Sequence, residues 1–348
     1  MDNRRLERVL IIKPSSLGDV IHALPVASAL RKALPGVKVD WVVSSAYAGL
    51  LEGNPDISRV IIFDRGMLRG ADFIAKLLGL LSELRRERYD AVLDLQGLLR
   101  SGLMAFAAKA GLRVGFANAR EGATLFYSVK APVPDINIHA VDRYMSVLSA
   151  VGVRPADAEF TLTVMPEDDA QAVDILNGAG IKPGERFIAA APSARWETKR
   201  WPAARFVELA RGLYEETGIK TVFVGTASDA ELFTGLDLGD DLKGSTVFGK
   251  TSIRSLAALF KRAVVVVTND SGPMHIAAAA GTPTVAIFGP TDPVRTGPYG
   301  KAHRVVASGI ECVPCLKRNC ETVRCLTGIS TGQVMAEVMA IIKGETCR

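Results

Sequence analysis

RVLIIKPSSLGDVIHALP (8–25) sets the reading of the whole chain. Val9–Ile12 is an apolar run with no polar alternation, so both faces of that strand are expected to be buried. The polar loop Pro14–Gly18 follows. Asp19 is expected to open a helix whose apolar positions include Val20, Leu24, Ala27, Leu30 and Leu34. RFIAAAPSA (186–194) repeats the grammar of RVLIIKPSS (8–16): a basic residue, a buried strand, then Pro-Ser. GVKVDWVVSSA (36–46) and GIKTVFVGTA (218–227) continue the two runs as second strands. Further buried strands are read at Val60–Phe63, Ala91–Leu93, Val264–Val267 and Thr284–Phe288. The expectation is an α/β fold of two Rossmann-like domains facing each other, with mostly parallel sheets.

The join falls within 152–185, which holds Pro155, Pro166, Pro183 and the acidic cluster Glu167-Asp168-Asp169. We divide the chain into 1–165, 166–330 and a C-terminal helix in 331–348. That helix carries Val334, Val338 and Ile341 at helical spacing. The 348 residues suit two cores better than one. Apolar residues at 48% and charged residues at 23% exclude a disordered chain. A disulfide scaffold is excluded by the same composition. The balance of 42 Lys+Arg against 37 Asp+Glu, +5, is too mild to demand nucleic acid, and no nucleic-acid partner is expected. It suits an anionic substrate or an anionic membrane surface. Apolar runs such as Val264–Val267 fall far short of the ~18–20 residues that span a bilayer. The start MDNRRLERVLIIK lacks the ~7–15-residue apolar core of a signal peptide. A cytoplasmic location is therefore expected.

Three loops carry residues suited to chemistry. Asp19 lies where ligands bind in open α/β sheets, outside the carboxyl end of a strand. It reads equally as a helix cap or as a functional carboxylate. In TNDSGPMHIAAAAGTPTVAIFGPTDP (268–293), Asp270 or Ser271 caps a short helix with Pro273 at its start and Gly281 at its stop. Its free amides form an anion site, and His275 lies one turn in. PSARWETKRWP (192–202) places Arg195, Lys199 and Arg200 in one loop, a set suited to phosphate. Arg65, Arg69, Arg100 and Arg120 are more diffuse and form an acceptor site only if they converge.

Two motifs are weaker. GSTVFGKT (244–251) matches the P-loop pattern, but LDLGDDLK rather than a buried strand precedes it, and Val247-Phe248 sit inside the loop. Cys312, Cys315, Cys320 and Cys325 read C-x2-C-x4-C-x4-C. Reduced thiols are the preferred reading, with a closed structural metal site as the alternative.

Taken together, KPSSLGDVIHALP (13–25), DLQGLLRSG (94–102), AREGATLFYSVK (119–130), HAVDRY (139–144), PSARWETKRWP and TNDSGPMHIAAAAGTPTVAIFGPTDP resemble glycosyltransferase family nine. These are the bacterial heptosyltransferases of lipopolysaccharide inner-core synthesis. The first half is most similar to heptosyltransferase I. The cysteine-rich segment is more similar to heptosyltransferase II and related members.

The resemblance implies a GT-B fold with an N-terminal acceptor-binding domain and a C-terminal domain for ADP-heptose. It implies inverting transfer from ADP-L-glycero-D-manno-heptose to Kdo-lipid A, without metal or other cofactor. Asp19 falls on the family's catalytic aspartate. Ser193 (with Ala194 as an alternative), Lys199, Asp229, Asp270, Ser271, Gly272 and His275 fall on or near nucleotide-sugar contacts, Asp229 sharing the ribose role with Glu231 as an alternative. Ser16, Gly18, Arg65, Arg100 and Arg120 fall on the acceptor side. A lipid acceptor implies a peripheral position on the cytoplasmic face of the inner membrane. The competing classes are another acceptor or donor within the family, a P-loop NTPase using Gly249, Lys250 and Thr251, and a non-catalytic nucleotide-sugar-binding protein.

Overall fold

The computed structural model describes residues 6–64, 66, 73–133, 135, 137–155, 157–239, 242 and 244–344. The chain forms two compact units, Met1–Thr163 and Val164–Arg348. In the first, β1 (Arg8–Ile12), β2 (Lys38–Val43), β3 (Arg59–Ile62), β4 (Ala91–Asp94), β5 (Leu112–Phe116) and β6 (Val129–Ala131) form one sheet. Its order is β3-β2-β1-β4-β5-β6, and every pairing is parallel. Its helices are α1 (Leu17–Ala33), α2 (Ser45–Ala48), α3 (Phe73–Arg86), α4 (Leu99–Ala107) and α5 (Ala140–Ser146). This is the dinucleotide-fold strand order, with its switch point between β1 and β4. Ile12 lies opposite Asp94, so the carboxyl ends of the two strands are level.

In the second unit α6 (Pro166–Gly178) precedes β7 (Phe187–Ala191), α7 (Ala203–Thr217) and β8 (Lys220–Phe223). Then come α8 (Ile253–Arg262), β9 (Val265–Asn269), α9 (Gly272–Ala279), β10 (Thr284–Phe288), α10 (Pro293–Thr296), β11 (Arg304–Ala307), α11 (Arg324–Thr327) and α12 (Thr331–Ile342). The parallel order β11-β10-β9-β7-β8 is the other common doubly wound arrangement, with its switch point between β7 and β9. Ala191 lies opposite Thr268 there.

The central strands are buried on both faces, which is why they read as continuous apolar runs. β5, β6 and β11 carry weaker signals. Arg113 and Gly115 interrupt β5, β6 has three residues, and β6 and β11 are edge strands. Gly115 has a packing reason: an added Cβ would sit 2.3 Å from the Tyr127 ring. The C-terminal helix α12 packs against α7 and buries Val334 and Val338 in the second core. No described helix is long and apolar enough to cross a membrane.

Candidate active site

The helix α1 starts at Leu17, two residues before the expected start. Ser16 is its N-cap, so Gly18 and Asp19 both lie in the first turn. Ser16 donates to Asp19 Oδ2 from its backbone N at 3.1 Å and from Oγ at 2.8 Å. Asp19 therefore caps, yet its other oxygen faces different partners. Tyr144 Oη, on α5, donates to Asp19 Oδ1 at 2.9 Å. Lys13 Nζ lies 3.7 Å from the same oxygen and 5.1 Å from the centre of the Tyr144 ring. The Asp19 side chain keeps 39% of its surface exposed, whereas that of Lys13 keeps 4%. The carboxylate is thus gripped from below and open above.

These contacts set the charges. Burial pushes the Asp19 carboxyl up, but Lys13, Ser16 and Tyr144 outweigh it and hold the group well below the usual carboxylate range. Burial lowers the Lys13 ammonium from its ordinary value, opposed by Asp19 and Asp94. Burial and the neighbouring carboxylate raise Tyr144 well above an ordinary phenol, so its hydroxyl remains a donor.

The β4 loop is tied to the same place. Asp94 Oδ1 accepts from the Gln96 and Gly97 amides at 2.9 and 3.0 Å, and Oδ2 accepts from Tyr127 Oη at 2.7 Å. Gln96 Oε1 in turn accepts from the Ser15 amide at 3.4 Å. Arg100 lies in the first turn of α4, and the Arg120 amide donates to Gly97 O at 2.9 Å. Both positions therefore adjoin the β4 loop. Arg65 and Arg69 lie outside the described residues.

In the second unit the loop after β7 turns through Glu197–Lys199 and meets the end of β9. Lys199 Nζ and Thr291 Oγ1 each contact Asp270 Oδ2 at 2.5 Å. Asn269 fixes the loop at both ends: its Nδ2 donates to Pro192 O at 2.7 Å and its Oδ1 accepts from the Trp201 amide at 3.1 Å. Ser193 is half-buried just after Pro192, and Arg195 is exposed. Arg200 Nε donates to Ala194 O at 2.7 Å, a contact that shapes the loop. Ser271 caps α9, Gly272 is its first residue, and His275 is buried in it. The buried Ser271 Oγ has no hydrogen-bond partner among the described residues. A lysine, a helix N-terminus and an unsatisfied hydroxyl lie on neighbouring loops, a set of donors chemically suited to an anion.

Asp229 follows β8 and caps its own 3-10 turn, its Oδ2 accepting from Thr226 N at 2.6 Å and Thr226 Oγ1 at 2.8 Å. Glu231 is exposed in the same turn.

The P-loop reading fails on the backbone. Val247 is fully buried, and the amides of Val247, Gly249 and Lys250 donate to Phe223, Gly225 and Val247 carbonyls instead of facing a phosphate. Cys312, Cys315, Cys320 and Cys325 are free thiols, and Cys325 is buried in the second core. Among the described residues no three His, Cys, Asp or Glu side chains are grouped to hold a metal. The cysteine segment backs the lysine loop: Thr198 Oγ1 donates to Lys317 O at 2.9 Å, and the Arg318 guanidinium lies 4.7 Å from the Trp196 ring centre.

Tyr144, Asn269, Thr291 and Arg318 carry no local sequence pattern that marks them as site residues. Lys13 had one usable signal, a lysine directly after a fully apolar strand.

Two doubly wound units, with a held carboxylate at one switch point and a lysine–aspartate pair beside the other, have the architecture of a GT-B glycosyltransferase. The family model for glycosyltransferase family 9 (heptosyltransferase) matches residues 77–325. Lipopolysaccharide heptosyltransferase 1 of Pseudomonas aeruginosa is 33% identical over 90% of this chain and 87% of its own. The Veillonella parvula family 9 glycosyltransferase superposes with a TM-score of 0.83 at 26% identity, covering 98% of this chain and 99% of that one. Escherichia coli heptosyltransferase WaaC, solved with ADP, gives 0.75 at 27% identity, covering 96% and 99%. The chain belongs to glycosyltransferase family 9, and its relatives are heptosyltransferases of lipopolysaccharide synthesis.

Proposed function

We propose that this enzyme transfers heptose from ADP-L-glycero-D-manno-heptose to Kdo-lipid A, with inversion and without a metal. The observation that carries the reading is the Asp19 carboxylate, kept ionised by Lys13, Ser16 and Tyr144 yet partly open to a ligand. The first unit would bind the acceptor and the second the donor. The acceptor hydroxyl hydrogen-bonds to Asp19. Its oxygen forms the new bond to the anomeric carbon as the bond to the diphosphate breaks on the opposite face. The proton passes to Asp19, and ADP leaves with the bonding electron pair.

A carboxylate with so low a pKa is a weak base in the ground state. It becomes a competent acceptor late in the step, when bond formation has made the hydroxyl acidic. Lys199 and the first amides of α9 would neutralise charge developing on the diphosphate. Ser193, Asp270, Ser271, Gly272 and His275 surround that end, and Asp229 would face the ribose. Ser16, Gly18, Arg100 and Arg120 would face the acceptor, with Arg65 as a further basic contact. The lipid acceptor would place the protein on the cytoplasmic face of the inner membrane.

The test is incubation of purified protein with both substrates in EDTA, with product weighed by mass spectrometry. A gain of one heptose is expected. Transfer only to an acceptor that already carries heptose would move the assignment to heptosyltransferase II. Loss of transfer in EDTA, restored by added metal, would overturn the metal-free step.

A further inference from the structure

We propose that the face built by α4 and the 3-10 turn Ala123–Phe126 is a docking surface for an anionic lipid bilayer. Leu99, Leu103 and Phe106 recur at helical spacing on α4 and are 45%, 43% and 58% exposed. Leu125 on the turn is 84% exposed. The two elements are locked together. A Cβ on Gly102 would come within 2.8 Å of the Phe126 ring, so glycine lets the turn press against the helix. Phe106 and Phe126 stack edge-on at 5.9 Å, and Arg113 Nε donates to Phe126 O at 2.9 Å. The apolar ridge is therefore a fixed feature of the first unit. Every described exposed large apolar side chain of that unit lies on this face or on α3, which packs beside α4.

Charge selects the occupant. Residues 99–131 carry Arg100, Lys109, Arg113, Arg120 and Lys130 against Glu121 alone, a balance of +4 in a chain whose total is +5. An apolar ridge carried on a net basic segment of chain matches an anionic membrane surface, where acyl-level burial and headgroup attraction act together. A protein partner would need its own acidic, apolar complement. The ridge begins directly after the β4 loop, which Gln96 ties to the Asp19 loop through Ser15. A lipid-linked acceptor could thus present its headgroup to Asp19 while its chains stay in the bilayer. The preference for lipid rests on the acceptor proposed above.

The test uses the full chain and two readouts. Sedimentation with phosphatidylcholine vesicles, with and without phosphatidylglycerol, should show salt-sensitive binding that needs the anionic lipid. The triple variant Leu103→Ser, Phe106→Ser, Leu125→Ser should bind at least about tenfold more weakly. Its kcat/KM on deacylated, water-soluble acceptor should be retained, which also shows that it folds. Its KM for vesicle-borne acceptor should rise. Absence of vesicle binding by the parent protein, or equal binding by the variant, would overturn the proposal. So would a dimer in the parent that the variant loses, because a second copy would then cover the face. Failure of transfer to both acceptor forms would overturn the functional reading while leaving the vesicle result to stand by itself.

Discussion

Tyr144 on α5 donates its hydroxyl hydrogen to Asp19 Oδ1 at 2.9 Å, across 125 residues of sequence. The contact steadies the carboxylate and helps to keep it ionised. Tyr144→Phe removes that donor, so the Asp19 pKa should rise toward its ordinary value. The acid limb of the kcat/KM profile should move to higher pH. The lost hydrogen bond to a charged group, worth roughly 1.5–3 kcal/mol, falls on the ionised ground state, so Asp19 becomes the stronger base and kcat at neutral pH should change by less than about tenfold. A pH series on parent and variant checks both effects. An unshifted acid limb would deny Tyr144 this role.

The same carboxylate links stability to pH. Its folded pKa lies below its unfolded value, so the stability it contributes is fully present above the usual carboxylate range. That stability is lost as pH falls through the folded pKa. Asp19→Asn should therefore be less stable than the parent at neutral pH, on the order of 1 kcal/mol given the partial exposure of the group. The gap should close in acid. Urea unfolding at neutral and acidic pH measures it.

Lys199, partly buried, and Asp270, buried, form an ion pair in the loop proposed to meet the donor. Lys199→Ala removes the cation proposed to meet the diphosphate and strands the Asp270 carboxylate. ADP should bind at least about tenfold more weakly, as expected for loss of a charged hydrogen bond. Asp270→Asn keeps the lysine but loosens its placement, so a smaller loss is expected. Calorimetric titration with ADP ranks the two, and equal affinity in Lys199→Ala and the parent would remove Lys199 from the site.

Gly115 lies on β5 against the Tyr127 ring, whose hydroxyl holds the buried Asp94. Gly115→Ala should displace that ring and destabilise the first unit by roughly 1–3 kcal/mol. Thermal unfolding reads this directly.

The core of the fold was legible because β1, β7, β9 and β10 are buried on both faces and read as unbroken apolar runs. β5 was hidden because Arg113 points toward the 3-10 turn and Gly115 makes room for Tyr127. Asp19 stood out through its place after β1, but its surroundings did not. Lys13 and Tyr144 reach it through the packing of α1 against α5, a long-range contact with no local pattern. Lys199 stood out as a cation of the loop after β7 and Asp270 as a candidate helix cap, whereas their pairing across 71 residues did not. The P-loop pattern shows the converse. GSTVFGKT matches by spelling, but its amides are spent on neighbouring carbonyls.

Asp19 is proposed to accept the proton of the attacking hydroxyl. Single-turnover transfer by Asp19→Asn, measured beside ADP affinity, tests it most directly. A fall in rate of about 10²–10⁴ with ADP affinity unchanged is expected. Transfer within about tenfold of the parent, with ADP bound equally well, would contradict it.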